Sequence, residues 1–298
     1  MKQKIVGVAG LGSMGSGMVR SLIRAGYTVQ GVDAHPTRLA DLAERGLVAT
    51  NTPAEAARGA DAFLISVVDA AQTQAVLFGP NGAIETLAQD AVVVATTTVA
   101  PAFIETLEAQ LGERGVLLLD APVSGGAEKA ATGQLSIMAS GTPEAFDGAA
   151  GILDAIGSHV HRVGHRAGFG SRMKSINQLL AGVNLATACE AIAYAIRLGV
   201  DPTEAFNVIT HSAGSSWIFE DRIPHVLDND YAPRSATNIF LKDLGIVLNQ
   251  GLAEKFPLPM AAAAHQLFVA AAAMGFGGDD DASIARVYAA LGNIELPQ

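Results

Sequence analysis

The chain has 298 residues, half of them apolar and 16% charged, with a formal net charge of -10 and one cysteine, Cys189. That length holds two domains of ordinary size, and the apolar content supports a packed core, which excludes global disorder. The acidic balance argues against a general nucleic-acid or anionic-membrane surface, and a lone cysteine excludes an internal disulfide.

The first residues, MKQKIVGVAGLG, carry two lysines before an apolar run, as a secretory signal does, but glycines break the run too early for a convincing apolar segment. Further along, IVGVA (5–9), YTVQGVD (27–33), AFLISVV (62–68), AVVVAT (91–96) and VLLLD (116–120) read as strands. Between them SGMVRSLIRAG, TRLADLAERG and PAFIETLEAQLG read as helices. Fully apolar strands alternating with helices predict a doubly wound parallel sheet with helices on both faces. The stretch HVHRVGH at 159–165 reads as a final strand and linker rather than a metal site. No zinc-ligand cluster, Ser-His-Asp motif or Walker-type loop is apparent.

The first strand runs into GLGSMG: Gly10, Leu11, Gly12, Ser13, Met14 and Gly15. In this G-x-G-x-x-G spacing the first glycine permits a tight turn, the second admits a pyrophosphate to the backbone, and the third lets the helix pack on the strand. The helix that opens there offers free N–H groups and a positive dipole end to phosphate. Asp33 ends the second strand, 18 residues beyond Gly15. A carboxylate in that place accepts from the ribose hydroxyls and repels a 2′-phosphate, so NAD is favoured over NADP, although His35 and Arg38 stand nearby. These features define a Rossmann domain over residues 1–165.

Two further stretches, TTTVAP (96–101) and DAPVSGG (120–126), follow strands and so lie at the carboxyl edge of the sheet, where open α/β sheets bind ligands. Threonines before Pro101 also suit helix caps, and SGG alone would suit a turn. In GFGSRMKSINQ (168–178) the glycines permit a sharp entry, Ser171 is a plausible N-cap, and Lys174 falls in the first turn of a long helix. Asn177 and Gln178 share its helix face. A lysine desolvated near the positive end of a helix gives up its proton more readily than one in water and can serve as a base.

The succession GLGSMG, TTTVAP, DAPVSGG, GFGSRMKSINQ and LKDL (241–244) resembles the β-hydroxyacid dehydrogenase, or 3-hydroxyisobutyrate dehydrogenase-like, family over essentially the whole chain. The resemblance implies Lys174 as catalytic acid/base, and Ser124, Gly125 and Gly126 at the substrate carboxylate, with Asn177 and Gln178 orienting the substrate hydroxyl. It implies that Val68, Asp69, Thr73 and Thr98 line the NAD side and that Lys242, also on the cofactor side, lines the closed cleft. The family's leading acid before the threonine motif is replaced by Ala95, and Gln178 stands where several relatives have asparagine.

Beyond residue 166 the apolar period is helical, and the resemblance implies an all-α substrate and dimerisation domain over 166–298, entered by a long interdomain helix. A homodimer or homotetramer follows from the same resemblance. Cys189, within ATACEAIAYAI, reads as a core residue, and MAAAAHQLFVAAAAMGF (260–276) as a buried helix too short to span a bilayer. The default location is cytoplasmic. HSAGSSWIFEDRIPHVL (211–227) reads as a polar and aromatic insert whose Ser212, Ser215, Ser216 and Trp217 could line a pocket. Such serines suit a small polyhydroxylated sugar acid better than a branched apolar acid, because unpaired pocket hydroxyls are costly. Other substrates of the family, and a non-catalytic NAD-binding sensor, are the rival readings.

Overall fold

A computed structural model describes residues 4–298 and divides the chain into two compact units, the first ending at Lys174 and the second running from Ser175 to Gln298. The long helix α8 (Phe169–Arg197) begins in the first and continues through the second. The expected division at 165/166 falls nine residues before this one, because the opening turns of α8 are hydrogen-bonded to strands of the first unit.

The first unit is built on a sheet of β1 (Ile5–Ala9), β2 (Thr28–Val32), β3 (Val48–Ala49), β4 (Ala62–Ile65), β5 (Val92–Ala95), β6 (Leu117–Asp120), β7 (Val123–Ser124), β8 (Leu135–Ser140) and β9 (Gly157–Gly164). Their order is β3-β2-β1-β4-β5-β6-β8-β7, with β9 on β8. The first six strands are mutually parallel, and β8 pairs antiparallel with β6 and β7. This reversal of strand order about β1 places a ligand crevice at the carboxyl ends of β1 and β4.

Side chains along the strands alternate between two cores. Val6, Val8, Leu64, Val92 and Val94 join one cluster, while Phe63, Ile65, Val93 and Ala95 join another on the opposite face. Both sets are buried, so β4 and β5 are apolar throughout. Helices α1 (Ser13–Arg24), α2 (Pro36–Ala43), α3 (Pro53–Ala57), α4 (Ala70–Phe78), α5 (Pro101–Gly112), α6 (Gly126–Thr132) and α7 (Pro143–Ile156) connect them. Three begin at a side-chain cap followed by proline or a small residue: Thr52 before α3, Asp69 before α4 and Thr142 before α7. The strand β8, LSIMAS, did not stand out in the sequence; four apolar residues with two serines, paired to β6, β7 and β9, have no local signature.

The second unit is helical: the remainder of α8, then α9 (Pro202–Ile209), α10 (Trp217–Leu227), α11 (Thr237–Ala253), α12 (Pro259–Ala271) and α13 (Ile284–Gly292). Leu185, Cys189 and Ile192, four and three residues apart, form the inner stripe of α8 and share a core with Ile218, Phe219, Ile223, Phe240, Leu244 and Phe268. Burial pushes the Cys189 thiol far above its ordinary range.

Two expectations change here. The 211–227 stretch is not an insert: Trp217–Leu227 is helix α10, capped by Ser216, with Pro224 near its end. The 260–276 stretch is helical but buried on one face only. Ala261, Ala264, Phe268 and Ala271 are inside, while Met260, Val269 and Met274 are exposed. By length and composition α8 and Pro259–Phe276 would pass for membrane-crossing helices; the core stripe explains that character in α8.

Candidate active site

The three glycines of the turn differ in the space around them. Gly10 has φ +90, and a Cβ there would collide with the Ser66 carbonyl; one on Gly15 would collide with the Gly10 carbonyl. Around Gly12 a Cβ would meet nothing within 4 Å. Gly12 is also the N-cap of α1, which has no side-chain cap, so its first N–H groups, including those of Ser13 and Met14, are not taken up by a side chain. The chain is thus tight where fold demands it and open where a pyrophosphate would lie.

Asp33 closes the same site from β2. Its Oδ2 accepts from Leu11 N at 2.6 Å, its Oδ1 accepts from His35 N at 2.7 Å, and Arg38 pairs with it at 3.3 Å. Arg38 Nη1 also lies 3.3 and 3.5 Å from the two carboxylate oxygens, so ribose hydroxyls would share the carboxylate with that guanidinium. Arg38, the cation able to hold a 2′-phosphate, is engaged by the carboxylate that would repel one. The residues present therefore fit NAD.

After β4, Val68 is half exposed, and Asp69 caps α4 by accepting from Gln72 N at 2.8 Å. Thr73 is fully buried, and its hydroxyl donates to Asp69 O within the helix. The threonines after β5 are not helix caps. Thr96 donates to Ile65 O, Thr97 accepts from Val67 N, and Ala100 is the N-cap of α5, with Pro101 at its first turn. They lash β5 to β4 and leave Thr98, half buried, at the strand's carboxyl end.

Ser124 ends β7, and Gly125 and Gly126 both have positive φ, +132 and +75. Two successive left-handed residues require glycine and turn the backbone sharply. Just before them, the Val123 carbonyl accepts a 2.8 Å hydrogen bond from Lys174 Nζ. Lys174 is only 7% exposed, so its amine is held beside the Ser-Gly-Gly turn rather than spread into solvent.

The entry to α8 differs from expectation. The helix begins at Phe169, so Ser171 lies inside it and Lys174 in its second turn. The carboxylate of Asp120, from the end of β6, caps it in place of Ser171. Its Oδ2 accepts from Gly168 N at 2.9 Å and Ser171 N at 2.8 Å, and its Oδ1 accepts from Ser171 Oγ at 2.8 Å.

In the second unit, Gln178 Nε2 donates to Asp243 Oδ2 at 2.6 Å, and Lys242 Nζ reaches Asp243 Oδ1 at 2.5 Å. Asn177 Nδ2 donates to Gln178 Oε1 at 2.9 Å. Asp243, 2% exposed, is the hub of this network and was not singled out in the sequence, though it sits inside LKDL. Asp120 was similarly overlooked inside DAPVSGG. The serines of 211–216 are occupied locally: Ser212 donates to Val208 O, Ser215 to Glu220 Oε1, and Ser216 caps α10. The described residues hold no group of three or more His, Cys, Asp or Glu able to bind a metal.

A nucleotide-binding sheet followed by a helical unit, with a buried lysine beside a Ser-Gly-Gly turn, defines an NAD-dependent hydroxyacid dehydrogenase. Residues 5–164 match the NAD-binding domain of 6-phosphogluconate dehydrogenase, and residues 168–288 match the NAD-binding domain of NADP-dependent 3-hydroxyisobutyrate dehydrogenase. The chain belongs to the 3-hydroxyisobutyrate dehydrogenase-like family of β-hydroxyacid dehydrogenases. It is 50% identical to L-threonate dehydrogenase of Cupriavidus necator, over 98% of this chain and 97% of that one. With L-threonate dehydrogenase of Escherichia coli K12 it shares 42% identity, over 96% of this chain and 95% of that one. A crystal structure of 3-hydroxyisobutyrate dehydrogenase from Salmonella typhimurium superimposes with a TM-score of 0.92 at 43% identity, covering 96% of this chain and 100% of that one.

Proposed function

We propose that this chain oxidises L-threonate at C2 to the 2-oxo acid, with NAD as cofactor and Lys174 as general acid/base. The observation that carries the mechanism is the buried Lys174 amine, fixed 2.8 Å from the Val123 carbonyl at the start of the Ser-Gly-Gly turn. NAD, when bound over Gly10–Gly15 and Asp33, supplies the hydride acceptor. Lys174 Nζ takes the hydroxyl proton and becomes an ammonium; in the reverse direction it returns that proton to the carbonyl oxygen. Ser124, Gly125 and Gly126 hold the carboxylate, and Asn177 and Gln178 orient the hydroxyl. Val68, Asp69, Thr73, Thr98 and Lys242 are the further cofactor-side residues of this reading, and Lys242 is held by Asp243.

The choice of L-threonate rests on the two relatives of that name, since the 211–216 serines are committed to local bonds. The Salmonella structure favours a second reading, 3-hydroxyisobutyrate. NADH formation from a panel of L-threonate, D-threonate, D-glycerate and 3-hydroxyisobutyrate, with NAD or NADP, separates them. Preference for L-threonate with NAD supports the proposal. Preference for another acid replaces the substrate, and silence across the panel favours a non-catalytic NAD-binding protein.

A homodimer or homotetramer accords with the exposed apolar side chains of the second unit, among them Leu252, Met260 and Leu291. Light scattering of the purified protein measures the oligomer; a monomer at micromolar concentration would reject it.

A further inference from the structure

The entry to α8 is held by side chains from two adjacent strands. Asp120 on β6 and Ser140 on β8 face each other in register, and this is the pairing through which the two strands meet. Asp120 takes the N–H groups of Gly168 and Ser171, and Ser140 Oγ takes that of Gly170 at 2.8 Å. Ser140 Oγ in turn donates to Asp120 Oδ2 at 3.3 Å. Three N–H groups at the start of the helix therefore end on two buried side chains that also bond to each other. Glycine is required at 170, where a Cβ would press on the Met138 and Asp120 carbonyls.

The same short segment receives the far end of the lysine. Asp120 fixes the first turn of α8, and Val123, three residues later, accepts from Lys174 Nζ. Helix start and lysine tip are thus referenced to one stretch of chain, which continues directly into Ser124, Gly125 and Gly126. Asp120 itself is fully buried and has no access to a substrate. Burial pushes its carboxyl up, and the hydrogen bonds from Ser171, Gly168 and Ser140 oppose that shift.

We propose that Asp120 is a positioning residue for Lys174: with Ser140 it sets the register of the first turn of α8, and so the place of the amine beside the Ser-Gly-Gly turn. The claim that this placement serves catalysis rests on the acid/base reading of Lys174 given above. An asparagine at 120 keeps the size but loses the charge that strengthens the two N–H bonds on Oδ2, and its N–H₂ group would stand where Oδ1 now accepts from Ser171 Oγ. Displacing a reacting group by about 1 Å costs turnover up to about 100-fold while leaving distant binding contacts intact.

The test compares Asp120→Asn, Ser140→Ala, Ser171→Ala and Lys174→Ala with the wild-type enzyme. Turnover of L-threonate is normalised to NADH-binding sites, and crystal structures are solved for the first two variants. The expected result for Asp120→Asn is NADH affinity within about two-fold of wild type and KM within about three-fold. Its turnover per site falls about 10- to 100-fold, and the bond from Nζ to the Val123 carbonyl is broken. The two serine variants, which keep the carboxylate and retain the fold if Asp120→Asn does not, show smaller losses in the same quantity. An unchanged amine position, or unchanged turnover per site in all three, overturns the proposal. A displaced amine together with a fully active Lys174→Ala would leave Asp120 as the helix anchor and reject instead the acid/base reading.

Discussion

Asp33 Oδ2 accepts a 2.6 Å hydrogen bond from the backbone N–H of Leu11, so the acidic end of β2 holds the glycine turn after β1 in place. One carboxylate thereby shapes the loop and sets the charge at the ribose. Replacing it by alanine removes a charge-assisted bond worth about 1.5–3 kcal/mol and also the repulsion toward a 2′-phosphate, while releasing Arg38. Asp33→Ala is expected to raise the KM for NAD about 10-fold or more and to narrow the preference for NAD over NADP. Steady-state kinetics with both cofactors check this, and an unchanged ratio of kcat/KM values would count against Asp33 as the selector.

The glycine turn separates fold from cofactor. At Gly12, whose φ of −66 suits any residue, an added Cβ meets open space, so Gly12→Ala should leave the unfolding midpoint nearly unchanged while NADH affinity falls about 10-fold or more. At Gly15 the added Cβ strikes the Gly10 carbonyl, so Gly15→Ala should destabilise the domain by about 1–3 kcal/mol. Thermal unfolding and NADH fluorescence titration of the two variants measure the contrast.

Asp243 ties Gln178 to Lys242. Its removal as Asp243→Ala leaves a largely buried lysine and an amide without their shared acceptor, which costs about 1–3 kcal/mol. The variant is expected to lower kcat/KM for the hydroxy acid while cofactor affinity stays within about two-fold, as stopped-flow binding and initial rates would show.

Stability should carry a pH signature from the second unit. Burial pushes the Asp281 carboxyl from 3.8 up to about 6, with Arg222 pulling against that shift and Asp280 adding to it. The native state therefore holds a proton there that the unfolded chain has released. Stability from this group is full below about pH 4 and is lost as pH rises through about 6, a change on the order of 3 kcal/mol. Asp280 is shifted the other way: burial raises it, but hydrogen bonds from His225, Arg234 N and Ala282 N prevail. Its contribution is lost only in more acid solution. Urea unfolding between pH 4 and 7 should show wild type losing stability relative to Asp281→Asn up to about pH 6 and then running parallel to it.

The local grammar of the sequence was enough for the Rossmann half. Gly10, Gly12 and Gly15 act through the backbone within six residues, and Asp33 directly follows the strand Thr28–Val32. Contacts made by side chains far apart in sequence were not legible. Ser171 looked like the cap of its own helix, but the cap comes from Asp120, 51 residues earlier. The strand Leu135–Ser140 is defined by partners on β6, β7 and β9 rather than by its own pattern. The serines near 215 looked free for a ligand, yet their partners Val208, Glu220 and Phe219 lie within five residues, and Ser216 ahead of a helical run is itself a cap pattern.

The central claim is that Lys174 moves the proton while the rest of the site binds. The most direct measurement is NADH formation from L-threonate by wild type and Lys174→Ala, alongside NADH binding to both. Wild-type turnover, loss of about 10³-fold or more in the variant, and equal NADH affinity are the predicted result. Turnover retained within about ten-fold by Lys174→Ala would contradict it.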